Sequence, residues 1–430
     1  MCGVVDRELW MRFPGLARLA GFVVLPMASM ASPLLALPAV TSQFGATAWV
    51  AIAVGQSVGG ASAIIVELAW SLTGPQRAAR MRGGARRRLL ALSISSKLLL
   101  FLPMATVSAL VSAGLSPQHA FTSALVAIGT TAVGLSSVWY YIGILSVTRI
   151  FLTDAMPRLV GVVTASLLVL LGAPLWVYPT LGIIVPSCIS PFSTLLAEGV
   201  RLRDLRGLTW SRIFLVLRFQ SLGMAGRALS GLYIALPVAL VTWVAPGSVA
   251  IFAAAERLQR ICLQLLDAVP NVMQNWLGRA VEPNERNSRI RRAIAWNALL
   301  GVVAATAFTL SAPFISKYVF AGAANIPIQL AALSGALIFV VSISKATGNL
   351  ALVALQRVKV ITISALSGAL VGIPLILLGS ATYGAMGGLI AEIVAEVVVL
   401  TIQYTFVASA IKTNSLEADL ASATELNARA

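Results

Sequence analysis

Long apolar runs alternate with short polar segments along the chain. About 20 consecutive apolar residues cross the hydrocarbon of a bilayer, so each long run predicts one transmembrane helix. The pattern predicts about twelve such spans, near residues 16–40, 47–72, 89–113, 119–144, 159–175, 178–198, 221–244, 249–275, 293–319, 327–351, 360–379 and 384–408. The first run is about 25 residues long, longer than the apolar region of a signal peptide, and we expect it to span the membrane.

The polar segments are too short to fold as soluble domains. The longest are residues 73–88, 199–212, 278–292 and the tail from 410. None of them holds enough apolar positions to bury a core of its own. We therefore expect the functional groups to lie among the helices.

Composition excludes a soluble protein. Hydrophobic residues make up 58% of the chain and charged residues 11%, and the mean hydropathy is +0.91. The net charge of +16 would suggest nucleic-acid binding on a polar domain, but here the basic residues lie between apolar segments, so no nucleic-acid partner is predicted. Cys2, Cys188, Cys262 and His119 lack the spacing of metal ligands. We therefore predict no metal and no cofactor.

The basic residues predict the orientation of the chain. Of the 31 lysines and arginines, 25 fall in the N-terminal segment, in the tail, or in the connections after spans 2, 4, 6, 8 and 10. Short cytoplasmic loops carry the Lys/Arg excess. The pattern predicts a multi-pass protein of the cytoplasmic (inner) membrane with both termini in the cytoplasm, and one miscounted early span would destroy the alternation.

The two halves of the chain are faintly similar. Val50-Ala-Ile-Ala opens span 2, and Val249-Ala-Ile-Phe opens span 8. Six spans separate the two motifs, which indicates a parallel repeat. We predict an all-α integral membrane protein with two six-helix bundles, residues 1–212 and 213–409, and a cytoplasmic tail, 410–430.

Span 8 carries an unusual number of polar residues at membrane depth. Eight of them fall within about 100° on one helix face: Glu256, Arg257, Arg260, Gln264, Asp267, Asn271, Gln274 and Asn275. A helix with this stripe does not face lipid. It indicates either a water-filled central cavity or a closed polar seam in which Glu256 pairs with Arg260.

Other ionisable residues add to this picture. Arg227, Lys97 and Lys345 are basic residues within spans, and with Arg257 and Arg260 they would suit an anionic ligand such as a phosphate. The carboxylates Glu67, Asp267, Glu392 and Glu396 are candidates for coupling transport to H⁺ or Na⁺. The alternative for both groups is that they pair with each other.

Two segments carry a family resemblance. FAAAERLQRICLQLLDAVPNVM in span 8 and ALVALQRVKVITISALSGALVGIPLILLGSATYGAMGGLIAEIVAE over spans 10 to 12 resemble polysaccharide (Wzx-like) flippases of the multidrug/oligosaccharidyl-lipid/polysaccharide exporter superfamily. The resemblance implies an exporter-type fold of two bundles around a central cavity. The cationic lumen of that family would correspond to Arg257 and Arg260, with Arg227, Lys97 and Lys345 as further members.

The resemblance also implies a function. We expect a flippase that moves a polyprenyl-diphosphate-linked oligosaccharide across the membrane by alternating access, with other polysaccharide assembly proteins as partners and without enzymatic activity. A multidrug cation antiporter is the nearest alternative, but it would favour an acidic cavity. A membrane polymerase or glycosyltransferase would need a larger outer loop, and an ATP-driven pump would need a GxxxxGK[ST] phosphate loop, which the chain lacks.

Overall fold

The computed structural model describes residues 15–201, 234–266 and 282–429, together with 204, 211, 213–218, 220, 231, 273 and 277. For residues 15–34 and 414–429 only the backbone is described. Every regular element in this part of the chain is a helix, and it forms two compact units, Met1–Ala225 and Gly226–Ala430. The expected bundle boundary at residue 212 stays a prediction.

The first unit is built from long helices with short connections. Its helices are α1 (Gly15–Glu67), α2 (Trp70–Arg80), α3 (Gly83–Leu115), α4 (Ala120–Ala132), α5 (Val138–Gly143), α6 (Val147–Ile150), α7 (Met156–Leu170), α8 (Val177–Pro179) and α9 (Val185–Ala197). The π-helical turns Phe151–Ala155 and Thr180–Ile184 join α6 to α7 and α8 to α9.

In the described part of the second unit there are five α-helices. They are α10 (Pro237–Val244), α11 (Val249–Leu266), α12 (Pro283–Val319), α13 (Ile328–Lys345) and α14 (Val358–Arg429). The π-helical segment Ala346–Leu352 continues α13 without a break.

The helices confirm an all-α membrane fold. Within the described residues, eight helices are long and apolar enough to cross a bilayer. The helices α1 and α14 each hold two predicted spans. The two spans are separated at Gly45 in α1 and at Gly384 in α14, where the backbone φ angle is positive. Glycine adopts this conformation without steric cost. The predicted spans 221–244 and 249–275 lie partly outside the described residues.

The connection after span 2 differs from the prediction. The first helix ends at Glu67 rather than near residue 72, because Leu68 and Ala69 have positive φ values of 54° and 53°. The polar stretch 73–88, predicted as a loop, is almost entirely helical and forms α2 and the start of α3. Hydropathy averages did not detect this helix, since its arginines offset its apolar residues.

An aromatic cluster anchors α2 to the first unit. The rings of Trp70 and Trp139 stack with centroids 5.1 Å apart, and Trp139 also meets Tyr140 edge-on at 5.9 Å. All three side chains are buried. The cluster therefore holds α2 firmly against α5.

Candidate functional site

A cavity of about 410 Å³ lies within the second unit. Its wall comes from α11, α13 with the following π-helical segment, α14, and the residues just before α10. Five charged side chains line it: Glu256, Arg260, Lys345, Glu392 and Glu396.

The face of α11 that lines the cavity follows from helical spacing. Glu256, Gln259, Arg260, Leu263 and Gln264 recur at the i, i+3, i+4, i+7, i+8 positions that share one side of a helix. Three of the four described residues of the predicted polar stripe, Glu256, Arg260 and Gln264, thus border a cavity. Gln259, which is not one of the eight residues of the stripe, is also part of the lining.

The π-helical segment shapes a second wall. It follows Lys345 and brings Gly348 and Asn349 to the cavity. Thr347 Oγ1 donates to Gln403 Oε1 at 2.8 Å, and Gln403 Nε2 donates to Ser364 Oγ at 3.1 Å. This chain of hydrogen bonds ties the segment to both arms of α14.

The third wall is one face of α14. Glu392, Glu396, Val399 and Gln403 lie on it at the spacing of successive helical turns. Glu392 and Glu396 are one helical turn apart, and both border the cavity.

Arg260 is held by a neighbouring carboxylate. Its Nε donates to Glu256 Oε1 at 3.0 Å, and its Nη2 donates to the same oxygen and to the backbone oxygen of Ile234. The Arg260 side chain is 32% exposed, against 8% for Glu256. The Glu256–Arg260 ion pair, one of the two alternatives drawn from the sequence, therefore exists. Arg260 is its more exposed member.

The remaining carboxylates lie in contrasting surroundings. Glu396 receives a hydrogen bond from Ser344 and feels the positive charge of Lys345. Glu392 is buried, lies near the charges of Glu256 and Glu396, and has an Oε1 without a hydrogen-bond partner among the described residues. Lys345 Nζ donates to the backbone oxygen of Leu263 at 3.4 Å.

The described part of the cavity lining carries more carboxylates than bases. The sequence favoured a cationic lumen, whereas the described lining holds three carboxylates and two bases. The difference arises because Glu392 and Glu396 come from a helix more than a hundred residues away in sequence, which packs against α11 only in the folded unit.

The other predicted basic residues lie elsewhere. Arg257 follows Glu256 on α11, and its charge acts on that carboxylate, but it is not part of the described lining. Lys97 belongs to the first unit, where its buried Nζ donates to the backbone oxygen of Ser136 at 2.8 Å and feels the charge of Glu67. These contacts explain the burial of Lys97 without any bound ligand. The role of Lys97 in binding substrate therefore stays a prediction.

Of the other predicted site residues, some lie in the described part of the chain and some do not. Glu67 Oε1 accepts a hydrogen bond from the Ser71 amide at 2.9 Å, in the first turn of α2. Arg227, Asp267, Asn271 and Asn275 lie outside the described residues. In the described chain, no group of three or more His, Cys, Asp or Glu residues is arranged to hold a metal ion.

The sequence analysis missed Asp154. This buried carboxylate accepts hydrogen bonds from Arg158 Nε at 3.1 Å, from Ser136 Oγ at 3.2 Å and from Ser190 Oγ at 2.8 Å. It had been assigned to a connection between spans, because span 5 was predicted to begin at residue 159. The i, i+4 spacing of Asp154 and Arg158 was the available signal.

Known proteins resemble this chain in structure but not in sequence. No protein-family model matches the chain, and no curated protein matches it. The chain is similar to an inward-facing multidrug resistance MATE family transporter of the MOP superfamily, with a TM-score of 0.61 and 12% identity over 90% of this chain and 95% of that chain.

Two further solved structures agree. The lipid II flippase MurJ in an inward closed conformation matches with a TM-score of 0.59 and 15% identity, covering 92% of this chain and 90% of that one. An outward-facing MATE transporter of the MOP superfamily matches at 0.53 and 14%, covering 94% and 97%. These structures are of transporters and a flippase rather than enzymes, and the chain shares their fold.

Proposed function

We propose that the protein is a flippase that moves a polyprenyl-diphosphate-linked oligosaccharide across the cytoplasmic membrane for the synthesis of a surface polysaccharide. The observation that carries the proposal is the Arg260 guanidinium, which lines the cavity of the second unit and is more exposed than the carboxylate that holds it. A guanidinium binds phosphate oxygens through paired hydrogen bonds.

The size and lining of the cavity suit part of such a substrate. At about 410 Å³ the cavity is in the range of small-ligand sites, so it accommodates a section of the polar head while the lipid stays outside. Gln264 and Asn349 add amide donors and acceptors for sugar hydroxyl groups.

A multidrug cation exporter is the second candidate. The formal excess of carboxylates over bases in the lining favours a cationic ligand, and the fold is shared with MATE transporters. Against it, Glu256 and Glu392 are buried, whereas Arg260 is the partly exposed member of its ion pair. The accessible charge of that pair is therefore positive.

The test is the export of surface polysaccharide by Arg260 variants at matched membrane abundance. Arg260→Gln removes a charge-assisted contact worth about 1.5–3 kcal/mol, which is a loss of roughly 10- to 150-fold in affinity for the substrate. Arg260→Lys should restore part of the export, because it keeps the charge but not the planar fork. Arg291→Gln is the control, since it removes the same group from an exposed position outside the cavity lining.

Three outcomes decide against the proposal. Full export by Arg260→Gln would exclude phosphate binding by this side chain. Export restored by Glu256→Gln/Arg260→Gln, but not by Arg260→Lys, would reduce Arg260 to a structural partner of Glu256. Resistance to cationic drugs that depends on Glu392, without any effect on polysaccharide, would favour the exporter.

A further inference from the structure

The helix α2 is too short to cross a membrane. It has 11 residues, so at a rise of 1.5 Å per residue it is about 16 Å long, roughly half the thickness of the hydrocarbon layer. It joins two candidate spans, Leu35–Glu67 and Gly83–Leu115, and is itself part of neither. The positive φ values of Leu68 and Ala69 separate it from α1.

The two faces of α2 differ sharply. Trp70, Gly74 and Ala78 recur every four residues and are buried, with Gly74 against the ring of Trp139. Gln76 and Arg80 on the remaining surface are exposed. The aromatic cluster thus fixes one face in the protein and turns the other outward.

Exposed arginines lie at the end of α2 and in the residues that follow it. Residues 70–88 contain no acidic residue and six arginines, and we call the three exposed ones, Arg80, Arg82 and Arg88, the arginine patch. Arg87 pairs with Asp204 at 3.6 Å, and Arg86 Nε donates to the Met81 backbone oxygen at 2.9 Å. Arg80, Arg82 and Arg88 are exposed, and no described residue forms a salt bridge with any of them.

The position of these charges favours an anion. Arg86, Arg87 and Arg88 occupy the beginning of α3, and its first turn has no acidic residue. The N-terminal end of a helix is the positive end of its dipole, and within the first turn, where Arg86 lies, this favours a bound anion. Basic groups at a membrane surface attract anionic lipid head groups.

We propose that the arginine patch is a binding site for anionic phospholipid of the membrane that the protein spans. The patch is held at a fixed height by Trp70 and Trp139, so its arginines meet the phosphates of the adjacent leaflet. This site lies in the first unit and is independent of the proposed transport substrate.

The test measures lipid binding to the purified full-length chain in detergent by native mass spectrometry. Phosphatidylglycerol is titrated against phosphatidylcholine of the same acyl composition. Each arginine near a membrane surface contributes a factor of roughly five to anionic-lipid affinity, so Arg80→Gln/Arg82→Gln should weaken phosphatidylglycerol binding by about 30-fold. Phosphatidylcholine binding should not change.

Two further variants make the result specific. Arg80→Lys/Arg82→Lys should retain most of the phosphatidylglycerol affinity, because the charge remains. Arg291→Gln/Arg292→Gln removes two exposed arginines from α12. It should leave the affinity for the most tightly bound phosphatidylglycerol unchanged. Equal affinity of the native chain and Arg80→Gln/Arg82→Gln would overturn the proposal, and so would an equal loss in the α12 variant.

Discussion

Glu392 is a buried carboxylate whose hydrogen bonding is incomplete among the described residues. It is buried, close to Glu256 and Glu396, and one of its oxygens has no hydrogen-bond donor among the described residues. Like charges brought together away from water repel strongly, and a bound proton or cation relieves this repulsion. Of the predicted coupling residues that the structure describes, Glu392 is therefore the one that we most expect to exchange a proton or a cation.

Neutralising Glu392 should uncouple transport from its ion gradient. We expect Glu392→Gln to insert normally and to show weaker dependence of transport on ΔpH or Na⁺, because glutamine keeps the shape but does not exchange a proton. The measurement is substrate flux in proteoliposomes with imposed gradients. Glu285→Gln is the control, since Glu285 is exposed and outside the cavity. An unchanged ion dependence in Glu392→Gln would assign this carboxylate a structural role.

Among the elements, the π-helical segment Ala346–Leu352 packs closely against α14 in the cavity wall. A Cβ atom built on Gly348 would lie 3.2 Å from the amide atoms of Gln403. Gln403 is itself held by Thr347 and Ser364, so it has little freedom to move. π-helical turns often occur at functional sites, and here the turn places Asn349 beside Lys345 in the lining.

Filling that space should cost stability. Gly348→Ala overpacks the contact with Gln403, and we expect a loss of about 1–3 kcal/mol. The measurement is thermal unfolding of the purified protein in detergent. Gly247→Ala is the matched control, because nothing lies within 4 Å of a Cβ atom built there. If Gly348→Ala unfolds at the same temperature as the native chain, Gln403 moves aside without loss of stability and the prediction is wrong.

On the scale of the whole molecule, the distribution of arginines predicts the orientation. Ala381 is exposed beside the Gly384 turn, and Ser288 is exposed near the start of α12. Under twelve spans with cytoplasmic termini, these two sites face opposite sides of the membrane.

Cysteine labelling checks this orientation. In a background without Cys2, Cys188 and Cys262, Ala381→Cys should react with an impermeant thiol reagent in intact cells, and Ser288→Cys should react only after permeabilisation. Labelling of Ser288→Cys in sealed cells would contradict the twelve-span topology.

The sequence by itself determined the features that depend on near neighbours. Hydropathy over about 20 residues marks a span regardless of what surrounds it. The interruption at Gly45 falls in a predicted connection, and the one at Gly384 falls at the first residue of the last predicted span. The 3.6-residue period likewise placed Glu256, Arg260 and Gln264 on one face of α11.

The tertiary structure decided which distant groups meet. Glu256 and Glu392 approach each other across the second unit, and Lys345 acts on Glu396, although each pair is far apart in sequence. Lys97 joined Ser136 in the first unit instead, and Trp139 held α2 in place as a helix. A residue's charge and hydropathy are local properties, whereas the partner that balances a buried charge is chosen by how the helices pack.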